Sequence, residues 1–262
     1  MLIFVGLGLH NHDDLTLSGL NWIKKGDVIY LDSYTSILPG FSVKKLEKLT
    51  GKKIFPLKRK NLEGEGSLNI LNEAKKKNVI LLVPGDPFIA TTHIQLRLDA
   101  ISKGIKTIII HAPSIISAIP GETGLFNYKF GKTVTVTFPY NNYVSETPYN
   151  VIKENKDRGL HTLLLLDINV EENKFMSIND ALKILINLER KRKEDVITLD
   201  TLVVGVARLT ADDALIKAGY LKDIININFG GPPHALIIPG RLHFKEIEAL
   251  NRITNIKIKS PK

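Results

Sequence analysis

Cysteine is absent from this chain of 262 residues, and that absence removes disulfides, thiolate metal sites and cysteine nucleophiles together. Long apolar runs are absent too. No stretch approaches the ~18 uninterrupted apolar residues of a membrane span. The opening MLIFVGLGLHNHDD has no basic segment ahead of its apolar stretch and meets an acidic pair early, which argues against a secretory leader. An intracellular, cytoplasmic enzyme is the expectation. Histidine occurs seven times, including the pair His10 and His12, but no HExxH spacing accompanies it, so no metal is expected. Aromatic residues make up only 7%. Trp22 and the aromatics of FPYNNY (138–143) read as packing, or as the flank of a cleft, rather than as base-stacking platforms. Internal repeats and low-complexity segments are also missing.

The composition that is there, 44% hydrophobic and 24% charged, suits a globular protein with a real core. Its length fits one large domain or two of about 100–150 residues. The net charge of +9 admits nucleic acid or an acidic protein as partner. The lysines are scattered, however. The local runs Lys75-Lys76-Lys77 and ERKRKED (189–195) read as solvated helix faces, and the tail KIKSPK as a frayed terminus. Direct nucleic-acid binding is not expected.

Short β-branched runs at LIFVG (2–6), DVIYLDSY (27–34), NVILLVPG (78–85) and KTIIIHAP (106–113) read as buried parallel strands. Helical patterns lie between them. LTLSGLNWIKKG ends at Gly26, and SLNILNEAKKKN (67–78) and TTHIQLRLDAISKG (91–104) follow the same logic. EGEGS (63–67) reads as a surface loop. Residues 1–112 thus predict an α/β domain with an open parallel sheet. Beyond HAPS (111–114), where Ser114 offers a helix N-cap, the texture changes. KTVTVTFP (132–139) alternates like a half-exposed strand, while HTLLLLDI (161–168), DTLVVGVAR (200–208) and ALIIPG (235–240) read as further strands. INDALKILINLERKRK (178–193) is a long amphipathic helix. Residues 113–262 predict a second α/β domain with a mixed sheet.

Glycine punctuates the end of the first strand in FVGLGL (4–9). A dinucleotide-binding fingerprint needs a third glycine where Asn11 stands, so the pattern argues for a tight turn or close backbone approach rather than a nicotinamide site. On that reading Gly8→Val abolishes ligand binding and leaves thermal unfolding nearly intact. PGDPFIATTH (84–93) is the central loop: Pro84, Gly85 and Pro87 fix a turn that holds the Asp86 carboxylate outward.

Taken together, GLGL (6–9), PGDPFIATTH, HAPSI (111–115), GLHTLLLLDI (159–168), DTLVVGVAR and FGGPPHALIIPG (229–240) resemble the diphthine synthases. That family lies within the tetrapyrrole-methylase superfamily of S-adenosylmethionine-dependent methyltransferases. The resemblance runs from about residue 1 to about residue 250. The GDP loop alone marks only the superfamily, whereas ATTH, HAPSI and GGPPH are specific to the family. What it implies is S-adenosyl-L-methionine bound in a folded shape in a cleft between two α/β domains, with S-adenosyl-L-homocysteine as product. The implied cofactor contacts fall on Leu9, Asp86, Ile89, Ser114, Ile115, Leu166, Leu209 and His234. Most are apolar, so backbone groups would read the adenine edge and the amino-acid end. Leu209 stands where a smaller residue would also suit the superfamily.

The resemblance further implies a substrate: the amino group of a modified histidine on elongation factor 2, methylated in the diphthamide pathway. It also suggests a homodimer. Nothing in the sequence identifies a general base, so the catalytic residues are open. The alternatives are methylation of a precorrin ring or of a ribosomal RNA ribose, and a non-catalytic binder with a vestigial cleft. Intact GLGL, PGDP and HAPSI loops weigh against the last.

Overall fold

The computed structural model describes residues 1–141 and 143–258, which form two compact units. One comprises Met1–Ile115 with Asn169–Lys174, the other Ile116–Ile168 with the chain from Phe175 onward.

In the first unit the chain runs β1 (Leu2–Gly6), α1 (Leu17–Lys25), β2 (Val28–Asp32), α2 (Val43–Thr50), β3 (Ile54–Leu57), α3 (Arg59–Leu62), α4 (Leu68–Ala74), β4 (Val79–Val83), α5 (His93–Ser102) and β5 (Thr107–Ile110). The strands form one parallel sheet in the order β3-β2-β4-β1-β5. Leu2–Gly6 lie opposite Val79–Val83, with Thr107–Ile110 on the other side of β1. Every residue of the VILLV strand β4 is fully buried. That explains its unbroken apolar run, since both faces of a central parallel strand are covered. Each such side chain is worth about 1.5–3 kcal/mol of burial.

The second unit adds α6 (Ile115–Thr123), β6 (Val134–Val136), α7 (Thr147–Asp157), β7 (Thr162–Leu166), β8 (Ile168–Asn169), β9 (Lys174–Phe175), α8 (Ile178–Arg192), β10 (Leu202–Ala207), β11 (Leu215–Tyr220), α9 (Leu221–Ile224), β12 (His234–Ile238) and α10 (Phe244–Thr254); the first residue of α6 and parts of β8 and β9 belong to the first unit. Its five-stranded sheet has the order β11-β10-β12-β7-β6, antiparallel except for the parallel pair β6–β7. The mixed sheet expected from the sequence is therefore present. Ile178, Ala181, Leu182, Leu185 and Leu188 form the buried stripe of α8 at helical spacing. A reciprocal cap between Ser177 and Asp180 starts that helix.

A buried polar cluster ties α10 to the sheet. Glu246 is fully buried and accepts from the backbone of Phe126 (2.8 Å) and His243 (2.7 Å), from the Lys129 ammonium and from His161 Nε2 (2.9 Å). Burial would raise its pKa, but these donors outweigh it and hold the carboxyl at about 2. His161 accepts from Gly240 N–H at Nδ1, and burial lowers its pKa, so the ring is neutral.

Several local expectations are corrected. EGEGS lies at the surface with Gly64 and Glu65 exposed, but it is shaped by a 3₁₀ turn over Gly64–Ser67 and ends on buried Ser67. Gly66 packs so closely on the Lys60 carbonyl that a Cβ would lie 1.8 Å from it. The helix expected over 67–78 ends at Ala74, leaving Lys75–Lys77 in an exposed turn. The strand expected over 132–139 shrinks to Val134–Val136. Within FPYNNY, Tyr140 and Tyr143 are exposed, and residue 142 lies outside the described residues. The frayed tail expected at KIKSPK reaches into 259–262, also outside them.

Candidate active site

Parallel strands of one sheet end along one edge, and the loops leaving that edge are where ligands bind in open α/β folds. In the first unit, adjacent β4, β1 and β5 deliver three of the motif loops to it. GLGL is joined to PGDP by a two-residue bridge: Gly85 N–H donates to Gly8 O (2.8 Å) and Gly8 N–H to Gly85 O (3.4 Å). Both glycines have positive φ, 79° at Gly8 and 71° at Gly85, a conformation costly for other residues. A Cβ on Gly8 would lie 2.2 Å from that of Asp14. Asp14 has its own task, since its Oδ2 accepts from the backbone N–H of Leu9 and of His10, both at 2.8 Å. The Leu9 N–H is thus committed within the protein, so it cannot be the backbone group that reads a ligand. Its half-buried side chain and its carbonyl remain as the contact groups.

Asp86 departs from expectation. Its carboxylate turns inward rather than outward, and the residue is only 7% exposed. Oδ1 accepts from Phe88 N–H (3.0 Å), while Oδ2 lies 2.7 Å from His111 Nδ1 and accepts weakly from Ala112 N–H (3.4 Å). PGDP and HAPSI are therefore joined through this side chain. The physical reason is proximity: 25 residues apart in sequence, Asp86 and His111 leave strands that both flank β1. Beneath the loop, buried His93 reaches the Pro87 carbonyl through Nδ1 (3.0 Å), and its Nε2 lies 3.2 Å from Asp32 Oδ2. Burial would raise the Asp32 pKa, yet His93, the Thr35 hydroxyl and Tyr34 N–H together hold it below the usual range. Phe88 packs on Phe4 of β1 with ring centroids 5.1 Å apart. Ile89 is 36% exposed, Ser114 is buried and Ile115 half-buried. His10 Nδ1, next to Leu9, is buried without a hydrogen-bond partner.

The second unit carries the other three implied residues at one end of three neighbouring strands. Leu166 closes β7, His234 opens β12 and Leu209 follows β10; the registers Leu165↔Ala235 and Ala207↔His234 bring them to the same edge. Leu166 and Leu209 are buried. At His234, Nε2–H donates to Gly231 O (2.9 Å) and Nδ1 accepts from Ile178 N–H (3.4 Å). Burial lowers its pKa, so the ring is neutral. Both ring nitrogens are occupied, which makes His234 a clamp between GGPPH and the start of α8.

Sequence reasoning passed over Arg208, which does most to shape this edge. Its guanidinium donates to Asp213 Oδ2 (2.6 Å), to Asp213 O (2.9 Å) and to the carbonyls of Phe229 (2.7 Å) and Gly231 (2.5 Å). The available signal was an arginine between a strand and the acidic TADD turn. His111 and the Asp32–His93 pair were missed as well, because each needs a partner distant in sequence.

The comparisons with known proteins agree with one another. A sequence profile described as tetrapyrrole (corrin/porphyrin) methylases matches residues 1–225. The chain is 50% identical over 252 residues to a diphthine synthase of Methanocaldococcus jannaschii, covering 95% of this chain and 97% of the relative. It is 46% identical over 250 residues to a diphthine synthase of Methanococcus aeolicus, covering 95% and 96%. A crystal structure of a diphthine synthase superposes with a TM-score of 0.87 at 40% identity, over 97% of this chain and 96% of that one.

Proposed function

We infer the activity from kinship and site together: this chain belongs to the tetrapyrrole methylases and, within them, to the diphthine synthases. It is an S-adenosylmethionine-dependent methyltransferase of diphthamide biosynthesis. Its substrate is the amino group of a modified histidine on elongation factor 2. The near full-length likeness to diphthine synthases disfavours a corrin ring or a ribosomal RNA ribose as acceptor.

The residues fit the cofactor. S-adenosylmethionine joins a flat adenine ring, through its ribose, to a sulfonium and an ammonium, so its site needs apolar walls for the ring and negative charge for the cationic end. Asp86 supplies a buried carboxylate, flanked in sequence by Ile89, and the bridge at Gly8–Gly85 brings Leu9 to the same loops. The space beside Gly85 is open: apart from its two chain neighbours, no atom lies within 4 Å of a Cβ built there. The orphaned His10 Nδ1 is one polar atom of that loop still lacking a partner. On the first unit we assign Leu9, Asp86, Ile89, Ser114 and Ile115 to the cofactor, and on the second Leu166, Leu209 and His234. Because the ring nitrogens of His234 are engaged, its contact is through carbon or backbone.

Bound there, the cofactor supplies a methyl group already activated as an electrophile on sulfonium. The protein's tasks are to hold that end against the Asp86 carboxylate, to exclude water, and to place a neutral amine within about 3–3.5 Å of the reacting carbon. Neither a metal nor a covalent enzyme intermediate is needed. As an enzyme acting on a translation factor, it works in the cytoplasm. Homodimerisation is supported by Ile94, Leu98 and Ile101, each about half exposed along one stripe of α5.

The observation that carries this reading is the joining of GLGL, PGDP and HAPSI through Gly8–Gly85 and Asp86–His111 in a chain of this family. Calorimetric titration with S-adenosylmethionine tests it. Saturable binding is expected, and no heat at submillimolar cofactor would refute it.

A further inference from the structure

We propose that His111 is a catalytic residue of this reaction: oriented at Nδ1 by the buried Asp86 carboxylate, it takes at Nε2 the proton that the substrate amine must lose. The proposal rests on the function assigned above.

The histidines separate by what their ring nitrogens do. His161 and His234 have both nitrogens engaged, and His93 is buried between a carbonyl and Asp32. His243 caps α10 through Nδ1. The Nδ1 atoms of His10 and His12 are buried without a partner. His111 alone combines an exposed ring with a buried anchor. Its side chain is 70% exposed, whereas that of the Asp86 partner 2.7 Å away is 9% exposed.

A carboxylate only accepts, so the proton of the neutral imidazole stands on Nδ1 and the lone pair of Nε2 is free. Asp86 is held in place by Phe88 N–H at Oδ1 and, more weakly, by Ala112 N–H at Oδ2. His111 also lies in the right place. It is bonded to Asp86 and stands three residues before Ser114, both assigned to the cofactor.

The chemistry gives such a group a task. An aliphatic amine arrives as ammonium at neutral pH and has no lone pair to attack with. One N–H bond of the ammonium breaks, its electron pair stays on the amine nitrogen, and the proton forms an N–H bond at Nε2. The imidazolium then releases that proton to water and returns to the neutral ring.

The first test is the tautomer, read by long-range proton–nitrogen correlation spectra of nitrogen-15-labelled wild-type protein. The Nδ1–H form is expected at His111 and its loss in Asp86→Asn. An Nε2–H form in the wild type overturns the proposal. The second is kinetic. His111→Ala should bind S-adenosylmethionine about as tightly as the wild type by calorimetry, while kcat falls on the order of 10²–10⁴-fold, with partial rescue by added imidazole. An active wild type whose His111→Ala variant turns over at the same rate overturns the inference and leaves the proposed function standing. A wild type that binds cofactor yet leaves the amine unmethylated overturns both.

Discussion

Gly8 and Gly85 face each other across one bridge and share a left-handed conformation, yet alanine should cost very different amounts at the two positions. At either glycine the conformational penalty for an L-residue is about 1–2 kcal/mol. At Gly85 that is the whole cost, since nothing apart from its two chain neighbours lies within 4 Å of the new methyl. At Gly8 the methyl would lie 2.2 Å from Asp14 Cβ and 2.9 Å from its Oδ2, so Asp14 must move. The Oδ2 atom holds Leu9 N–H and His10 N–H, and hydrogen bonds to a charged group are worth about 1.5–3 kcal/mol each. Water replaces part of this at a half-buried site, which leaves a total of about 3–6 kcal/mol. In a protein of this size that lowers the melting midpoint by roughly 6–12 °C, against a few degrees for Gly85→Ala. Differential scanning calorimetry of both variants reads the difference. Cofactor titration should show the converse for Gly85→Ala, whose methyl enters the open space beside Asp86: nearly native stability and weakened binding. Equal midpoints for the two variants would refute this reasoning. The expectation that a substitution at Gly8 spares unfolding is corrected by the same geometry.

Other consequences follow from the polar clusters. Asp86→Ala should weaken S-adenosylmethionine binding by about 1–3 kcal/mol, read by calorimetry, since a charge-assisted contact is lost. Glu246 has its pKa depressed from 4.5 to about 2, so its contribution to stability is complete above pH 4.5 and lost as pH falls towards 2. That contribution is on the order of 3 kcal/mol, and Glu246→Gln should both lower the neutral-pH midpoint and flatten this acid limb. Arg208→Lys replaces a fork by a point charge and should cost about 1–3 kcal/mol, visible as faster hydrogen exchange over residues 229–231. Methylation of elongation factor 2 should fall only moderately with added salt. An RNA substrate would instead lose orders of magnitude in affinity between about 50 and 200 mM.

Much of the fold was legible because its central strands are buried on both faces. β1 and β4 read as unbroken apolar runs, and α8 as a stripe at helical spacing. The edges were not. β3 is an edge strand of sequence IFPL, with Pro56 inside it and two of its residues exposed, so no apolar run announced it. β11 lies at the other sheet's edge and carries Lys217 among half-buried residues. The loops of the candidate site were legible as motifs, because proline and glycine spacing survives in one dimension. Their side-chain directions were not. Nothing in PGDP says that Asp86 turns inward, since its partners His111 and Ala112 come from another strand's end. Arg208 was overlooked for the same reason: two of the carbonyls it binds, those of Phe229 and Gly231, lie more than 20 residues away.

The central claim is the methylation of one amine on one protein. Its most direct test is to incubate the purified chain with methyl-labelled S-adenosylmethionine and elongation factor 2 carrying the partly modified histidine, followed by mass analysis of the peptide. The account predicts label on the amino nitrogen of that modified histidine, and none on factor whose histidine is unmodified. Unlabelled factor, with label appearing on ribosomal RNA or a corrin in parallel incubations, would contradict it.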